Sequence, residues 1–405
     1  MLQKHKENFR KNILKYLYLS TFFLGISSAF VLYIESDYFK VGFGNENITF
    51  FFLAAYGLAL IMMLNWHRLV AKYGKVKVFY FSLVVKLLLA LLLALHPVSP
   101  LTVWLLVVYI AFTVINWLDM DNLLESCSVD RKTGKIRGLY LTIENFGYLL
   151  APFVAGLLIT RYGFQSAFAV SFGILALVGI IALFSFKNIP ECAVQESKLL
   201  EFFRIVWQRK NVMKAYYISF LLEFFYALMI IYTPLYLLDL GFDWFTIGKI
   251  FTIMLVPFVL LQYPAGYLAD TFFEERDMMA GALLILGIST ILVYFTHSTS
   301  VLVWGAILFS TRIGASLIEV LRDSYFYKRI DQRDVDIVDF FRTVRPVAYI
   351  IGAVVATPII ILFHIQAIFI IIGVVALTGI PVALTLASSR IPPSLVKCAK
   401  PSKSS

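Results

Sequence analysis

ILKYLYLSTFFLGISSAFVLYIES, Ile13–Ser36, and MKAYYISFLLEFFYALMIIYTPLYLL, Met213–Leu238, are near-continuous apolar runs. A membrane-spanning helix needs about 20 such residues at 1.5 Å rise to cross about 30 Å of hydrocarbon. Neither run alternates with the period of two that a transmembrane strand keeps over about ten residues. Both therefore read as α-helices built for lipid. Further runs lie near 46–66, 76–96, 100–122, 136–160, 164–187, 246–269, 278–297, 300–321, 338–362 and 364–388. The expected fold is an all-α membrane protein of twelve transmembrane helices, six plus six. Composition agrees. Of 405 residues 60% are apolar and 15% charged, and mean hydropathy is +0.83. A soluble domain carries about 45–50% apolar and about 25% charged residues, so an ordinary cytosolic enzyme and a disordered chain are excluded.

The two quoted runs belong to a repeat. At a shift of 199 residues Tyr18 meets Tyr217, Ser20 meets Ser219, Tyr33 meets Tyr232, Ile48 meets Ile247 and Leu69 meets Leu268. A shift of 198 pairs Asp121 and Glu125 with Glu319 and Asp323, at matching ends of the fourth and tenth helices. Two six-helix units repeated in parallel imply a pseudo-two-fold axis along the membrane normal. The expected organisation is an N-terminal bundle over 1–187, a linker over 188–212, a C-terminal bundle over 213–388 and a basic tail over 389–405. In the linker Leu199, Leu200, Phe203 and Val206 recur at helical spacing among Lys198, Glu201, Arg204 and Arg209. That pattern predicts an amphipathic helix on the membrane surface.

Basic residues orient the chain. With the N-terminus inside, cytoplasmic segments take all Lys and Arg except Lys40 and Arg161 outside and Lys86, Lys249 and Arg312 within or at the ends of spans. Both termini are expected in the cytoplasm. Short loops favour the inner membrane of a prokaryote. The net charge of +10 then reflects loops at a lipid bilayer rather than a nucleic-acid partner. The basic stretch Lys4–Lys15 before an apolar run resembles a signal peptide. The run continues to Ile34, however, and the repeat needs it, so it reads as a retained first helix. Cys127, Cys192 and Cys398 form no disulfide framework and no CxxC motif. His96, His297 and His364 lack metal-ligand spacing. No phosphate loop or nucleophile motif occurs, so neither an enzyme nor a cofactor nor a metal is expected.

Two motifs carry a resemblance to the major facilitator superfamily of secondary transporters, over about residues 10–390. The family's loop motif, roughly GxLADRxGR(K/R), follows its second and eighth helices. After the eighth helix this chain reads Pro264-Ala-Gly266-Tyr-Leu268-Ala269-Asp270, but Phe273 and Glu274-Glu275 replace the second half. After the second helix His67 and Ala71 replace Gly and Asp, while Lys72, Gly74, Lys75 and Lys77 keep the basic end. The helix 5 motif associated with antiporters, Gx8Gx3GPx2GG, is matched in spacing by Gly138, Gly147, Ala151-Pro152 and Ala155-Gly156. Physically it is a small-residue contact bent at a proline. The resemblance implies two bundles rocking around a midplane site, with helices 1, 4, 7 and 10 lining it, and the antiporter motif favours export. An arginine common on helix 4 of drug exporters is Val114 here, and its repeat partner is Arg312.

Ionisable side chains within spans are costly and usually face a watery cavity or a partner. Glu223, Glu144, Lys86 and Arg312 stand out. Glu223 lies about ten residues into the seventh helix, about 15 Å deep, where it could carry a proton or neutralise a cationic substrate, with Arg312 as a candidate partner. Glu144, beside Asn145, could be a second proton site or pair with Lys86. Asn116 is a candidate to reach the cavity from the fourth helix, near Asp119. Asp121, Glu125, Glu319 and Asp323 are candidates for cytoplasmic gate bridges with Arg137, Arg342 or Arg345. Tyr33 and Tyr232 could cap the cavity or sit in an aromatic belt. The resulting expectation is a monomeric, proton-coupled exporter of a small organic molecule. The rivals are a proton-coupled importer and a non-transporting sensor or scaffold.

Overall fold

Each apolar run folds as a helix because a backbone in lipid must satisfy its own N–H and C=O groups. The computed structural model describes residues 2–44, 48–127, 133–187, 189, 209–328 and 340–388. The tail and nearly all of the linker, with its expected amphipathic helix, lie outside the described residues, as do Cys192 and Cys398. So do the side chains of Glu125, Arg137 and Asp270. Among the described residues twelve helices are long and apolar enough to cross a membrane. Spans 1 to 6 are Ile13–Phe43, Thr49–Tyr73, Lys75–Leu95, Pro100–Leu124, Leu139–Tyr162 and Phe164–Ser185. Spans 7 to 12 are Lys210–Asp239, Trp244–Ala269, Glu275–Tyr294, Val301–Phe326, Phe340–Phe363 and Ala367–Leu384. The end of the bundle where span 1 begins is called the near end, and the opposite one the far end.

Two span limits differ from expectation in ways that matter. Span 1 was expected to finish at Ser36. Its helix stops at Leu32, the Ile34 N–H bonds back to the Val31 carbonyl in a tightened turn, and a second helix runs over Glu35–Phe43. Asp37 thereby joins Glu35 in the span. Span 10 continues as one helix to Tyr327 rather than stopping at Leu321, which brings Arg322 and Asp323 into register with Glu319. Residues three and four apart share a helix face, and that face turns inward.

Gly74 alone joins span 2 to span 3, at φ 86° and ψ 153°. A residue with a Cβ is strained at such a positive φ. Span 12 is interrupted at Thr378. Pro381, three residues on, offers no N–H and its ring crowds the carbonyl four residues back.

Span 1 packs on spans 5 and 6, and span 3 on spans 4 and 6. Span 9 packs on spans 10 and 12. The main contacts between the chain's two halves are span 5 on span 8 and span 11 on span 2. Shifting by six spans turns either contact into the other, as the two-fold expected from the repeat requires. Small residues make these approaches close. Gly147 lies against the backbone of Phe22, Gly25 and Ile26 in span 1. Gly156 meets the Trp244 carbonyl, and Gly248 meets that of Pro152, in span 8. The helix 5 motif therefore serves two contacts, one inside its own half and one across to the other.

Candidate functional site

Between the halves lies a cavity of about 200 Å³. It reaches from Glu35 and Tyr56 to Asp121 and Arg342, and spans 2, 5 and 11 line it together with spans 1, 4, 7 and 10. Six carboxylates reach it: Glu35, Asp121, Glu144, Glu223, Glu319 and Asp323. Among the described residues three cations do, Arg322, Arg342 and Arg345. Aromatic rings of Tyr56, Tyr109, Trp117 and Tyr148 form much of the remaining wall, with Trp117 and Tyr148 stacked 6.4 Å apart.

The arginines are engaged by half of the acids. Arg322 bonds Glu223 at 3.3 Å, Asp323 at 3.3 Å and the Ser219 hydroxyl. Arg345 reaches the other oxygen of Glu223 at 3.9 Å. Glu223 is thus held by two guanidinium groups from spans 10 and 11. The expected partner, Arg312, is not one of them: it lies over the rings of Phe225 (4.8 Å) and Tyr226 (5.9 Å). Arg312 is 2% exposed and outside the cavity wall, and its Nη1 has no hydrogen-bond partner.

Arg342 crosses from span 11 to Asp121 in span 4 at 3.4 Å, and to the Asn122 side-chain oxygen at 3.4 Å. This is a bridge between halves at the near end, of the kind expected for a gate. The other gate candidates divide differently. Asp323 binds Arg322 within its own half, while Glu319 accepts from Tyr226 at 3.2 Å and from Gln262 Nε2 at 3.3 Å. Asn145 in span 5 donates to Gln262 Oε1 at 3.2 Å, so an amide chain links the halves beside Glu319.

Glu144 does not meet Lys86. Among the described residues it makes no hydrogen bond or ion pair, and the charges it feels are Asp121, Glu319 and Asp323 against Arg345. Lys86 is fully buried, 3.5 Å from the Ser28 hydroxyl and 5.3 Å from the Tyr109 ring centre, and its electrostatic partner is Glu35. Glu35 is 4% exposed and its Oε2 has no hydrogen-bond partner. Asn116 is buried with both side-chain atoms unpartnered and does not line the cavity. Its neighbour Asp119 accepts from Trp66 Nε1 at 2.8 Å and from Ser82 at 2.5 Å, a satisfied structural carboxylate.

The far end is closed by contacts between halves. Tyr33 packs on Phe251 of span 8, ring centres 4.8 Å apart, and the Tyr232 hydroxyl lies 3.1 Å from Thr49 in span 2. Trp244 Nε1 donates to Asp37 at 3.0 Å, and Lys40 meets Asp239 at 3.5 Å. Deeper in, the rings of Tyr56 and Tyr349 lie 4.0 Å apart, tilted by 31°. The repeat-related pair Tyr33 and Tyr232 therefore cross in both directions.

The loop motif acquires a structural account. Lys75, at the start of span 3, donates to Ser126 at 2.9 Å and to the Asn122 carbonyl at 3.4 Å, holding the end of span 4. Glu275, at the start of span 9, is buried and accepts from Lys328 at 2.6 Å and Ser324 at 3.4 Å, holding the end of span 10. The same clamp is built twice with reversed polarity, which is why each half keeps a different part of the motif. Lys72 stands over the Tyr73 ring at 5.2 Å, and Gly266 faces Val320 of span 10. Among the described residues no group of three His, Cys, Asp or Glu is arranged to hold a metal.

Glu35, Arg322 and Arg345 are the cavity residues that sequence reasoning left aside or placed elsewhere. Spacing held the signal for two of them. Glu319, Arg322 and Asp323 stand three and four apart on one helix face, and Tyr38 and Phe39 continue the apolar run past Glu35.

No curated protein matches the chain in sequence. The crystal structure of the human organic anion transporter MFSD10 (TETRAN) is similar in fold, with a TM-score of 0.67 at 13% identity, over 92% of this chain and 99% of that one. The model of the Major Facilitator Superfamily matches residues 17–334. The chain is a member of the major facilitator superfamily, a twelve-helix secondary transporter of the membrane.

Proposed function

We infer that this transporter exports a small organic molecule in exchange for protons, by alternating access of one cavity to the two faces of the membrane. The observation that carries the reading is the cavity itself. It lies between the halves, is shut at the far end by contacts that must part to open it, and holds carboxylates that no arginine meets at ion-pair distance among the described residues. A carboxylate facing a cavity inside the membrane, half-buried and without a cation in contact, takes up a proton more cheaply than one in water. Glu144 and Glu319 are the coupling groups on this reading. Glu223, fixed between Arg322 and Arg345, transmits the charge state to spans 10 and 11. Export is favoured by the span 5 contact with span 8, the antiporter-type motif. The protein works as a monomer in the inner membrane of a prokaryote. Its near end faces the cytoplasm with both termini, in line with the basic loops.

Inside-out vesicles carrying the full chain test this. Their lumen corresponds to the outer face. A compound added outside and exported inward draws protons out of the lumen, so lumenal pH rises with no imposed gradient. Glu144→Gln vesicles lose that rise. A fall in lumenal pH means co-transport and establishes the importer. Silence with every compound, together with absence of labelled uptake, establishes the sensor or scaffold.

A further inference from the structure

The charge pattern of the cavity specifies more than transport. Asp121, Glu223 and Asp323 share the three lining arginines. Glu35, Glu144 and Glu319 have no arginine at ion-pair distance among the described residues. Arg345, and behind it Lys86, offset Glu35 in part from a distance. Arg312 is turned to aromatic rings and contributes nothing to the wall. Glu144 and Glu319 therefore face the cavity without a cation at ion-pair distance among the described residues, with Arg345 and Arg322 acting on them only from farther away. The two carboxylates come from opposite halves, Glu144 feels the charge of Glu319, and the Asn145–Gln262 bond runs beside them. A second observation points the same way. Glu35 is nine-tenths buried, lines the cavity and presents an oxygen with no hydrogen-bond partner.

We propose that the substrate is a small organic cation with an aromatic or apolar body, its charged group seated between Glu144 and Glu319 and its body against Trp117 and Tyr148. The proposal rests on the transport reading above and deepens it. Two carboxylates supply the counter-charge that a desolvated cation requires. The stacked Trp117 and Tyr148 offer π faces, which attract cations. An anion at the same place would meet two carboxylates, with every lining arginine already engaged. The cavity's small volume suits a single-ring compound. Because the two acids belong to different halves, a bound cation draws the halves together where they would otherwise repel.

Matched probes of one shape and different charge test the class. Purified full-length protein in nanodiscs is titrated calorimetrically with phenyltrimethylammonium, tert-butylbenzene and benzenesulfonate. The cation is expected to bind at least about tenfold more tightly than the other two. Glu144→Gln and Glu319→Gln should each weaken it about tenfold or more, while Glu144→Asp, which keeps the charge, retains most of the affinity. Unfolding temperatures of the variants confirm that they are folded. Preference for the sulfonate, absence of cation binding, or cation binding to both Gln variants at wild-type strength overturns the proposal. Flux in the same preparation separates the two readings. A sulfonate that binds and is transported defeats the cation and leaves transport standing. A cation that binds to wild type, fails with the Gln variants and is never transported leaves this site standing and defeats export.

Discussion

Arg322 holds three side chains of the cavity, Glu223, Asp323 and Ser219. Removing one member of a buried pair strands the other, at about 3–5 kcal/mol. Arg322→Gln should cost about 3 kcal/mol, the low end, because Arg345 still reaches Glu223. Adding Glu223→Gln should recover part of that loss, since the stranded charge is then gone. Chemical unfolding of the two variants in detergent checks this, and a double variant weaker than the single would refute it. The site was only partly legible at this scale. Glu223, Glu144 and Arg312 are conspicuous because each interrupts an apolar run, but interruption says nothing about partners. Arg312 and Glu223 lie at similar distances into their helices, yet rotation about the helix axis turns one to Phe225 and the other to Arg322. Glu35 is less conspicuous because it stands at the end of its apolar run, and no glycine or proline announces the tightened turn after which the helix carries on past it.

Span 5 shows how one element can serve two ends. Its Gly147 stretch fixes it to span 1 inside one half, and its Pro152–Gly156 stretch rests on span 8 of the other. The first contact should matter for folding and the second for switching. Gly156→Leu places a side chain against the Trp244 carbonyl, so span 8 must withdraw at the far end. The expected result is loss of transport, with a cysteine introduced at Leu32 becoming reactive to a membrane-impermeant maleimide from the far side. Unchanged reactivity would mean that the contact is not part of the far-end seal. The number and order of spans were readable from runs of apolar residues, because lipid imposes one simple rule on each. Their ends were not: span 10 keeps its helix through Arg322 and Asp323, and the partners that make Arg322 tolerable, Glu223 and Ser219, come from span 7, distant in sequence.

For the molecule as a whole, the far end must open if the cavity is to face both sides. Replacing Lys40 and Asp239 by cysteines, which meet across the halves, should allow an oxidant to lock that end. Flux should vanish on oxidation and return with a reductant, in a background lacking the native cysteines. Flux that survives the cross-link would exclude opening at this point. The two buried charge groups also have an order along the chain. Glu35 in span 1 precedes Lys86 in span 3, and Glu223 in span 7 precedes Arg322 in span 10 and Arg345 in span 11. A ribosome delivers the acid to the bilayer first in both cases. A carboxylic acid can wait in lipid as a neutral, protonated group, whereas a guanidinium cannot shed its charge. During synthesis, then, each base arrives to find its acid already in place, and no arginine of the cavity has to enter the membrane alone.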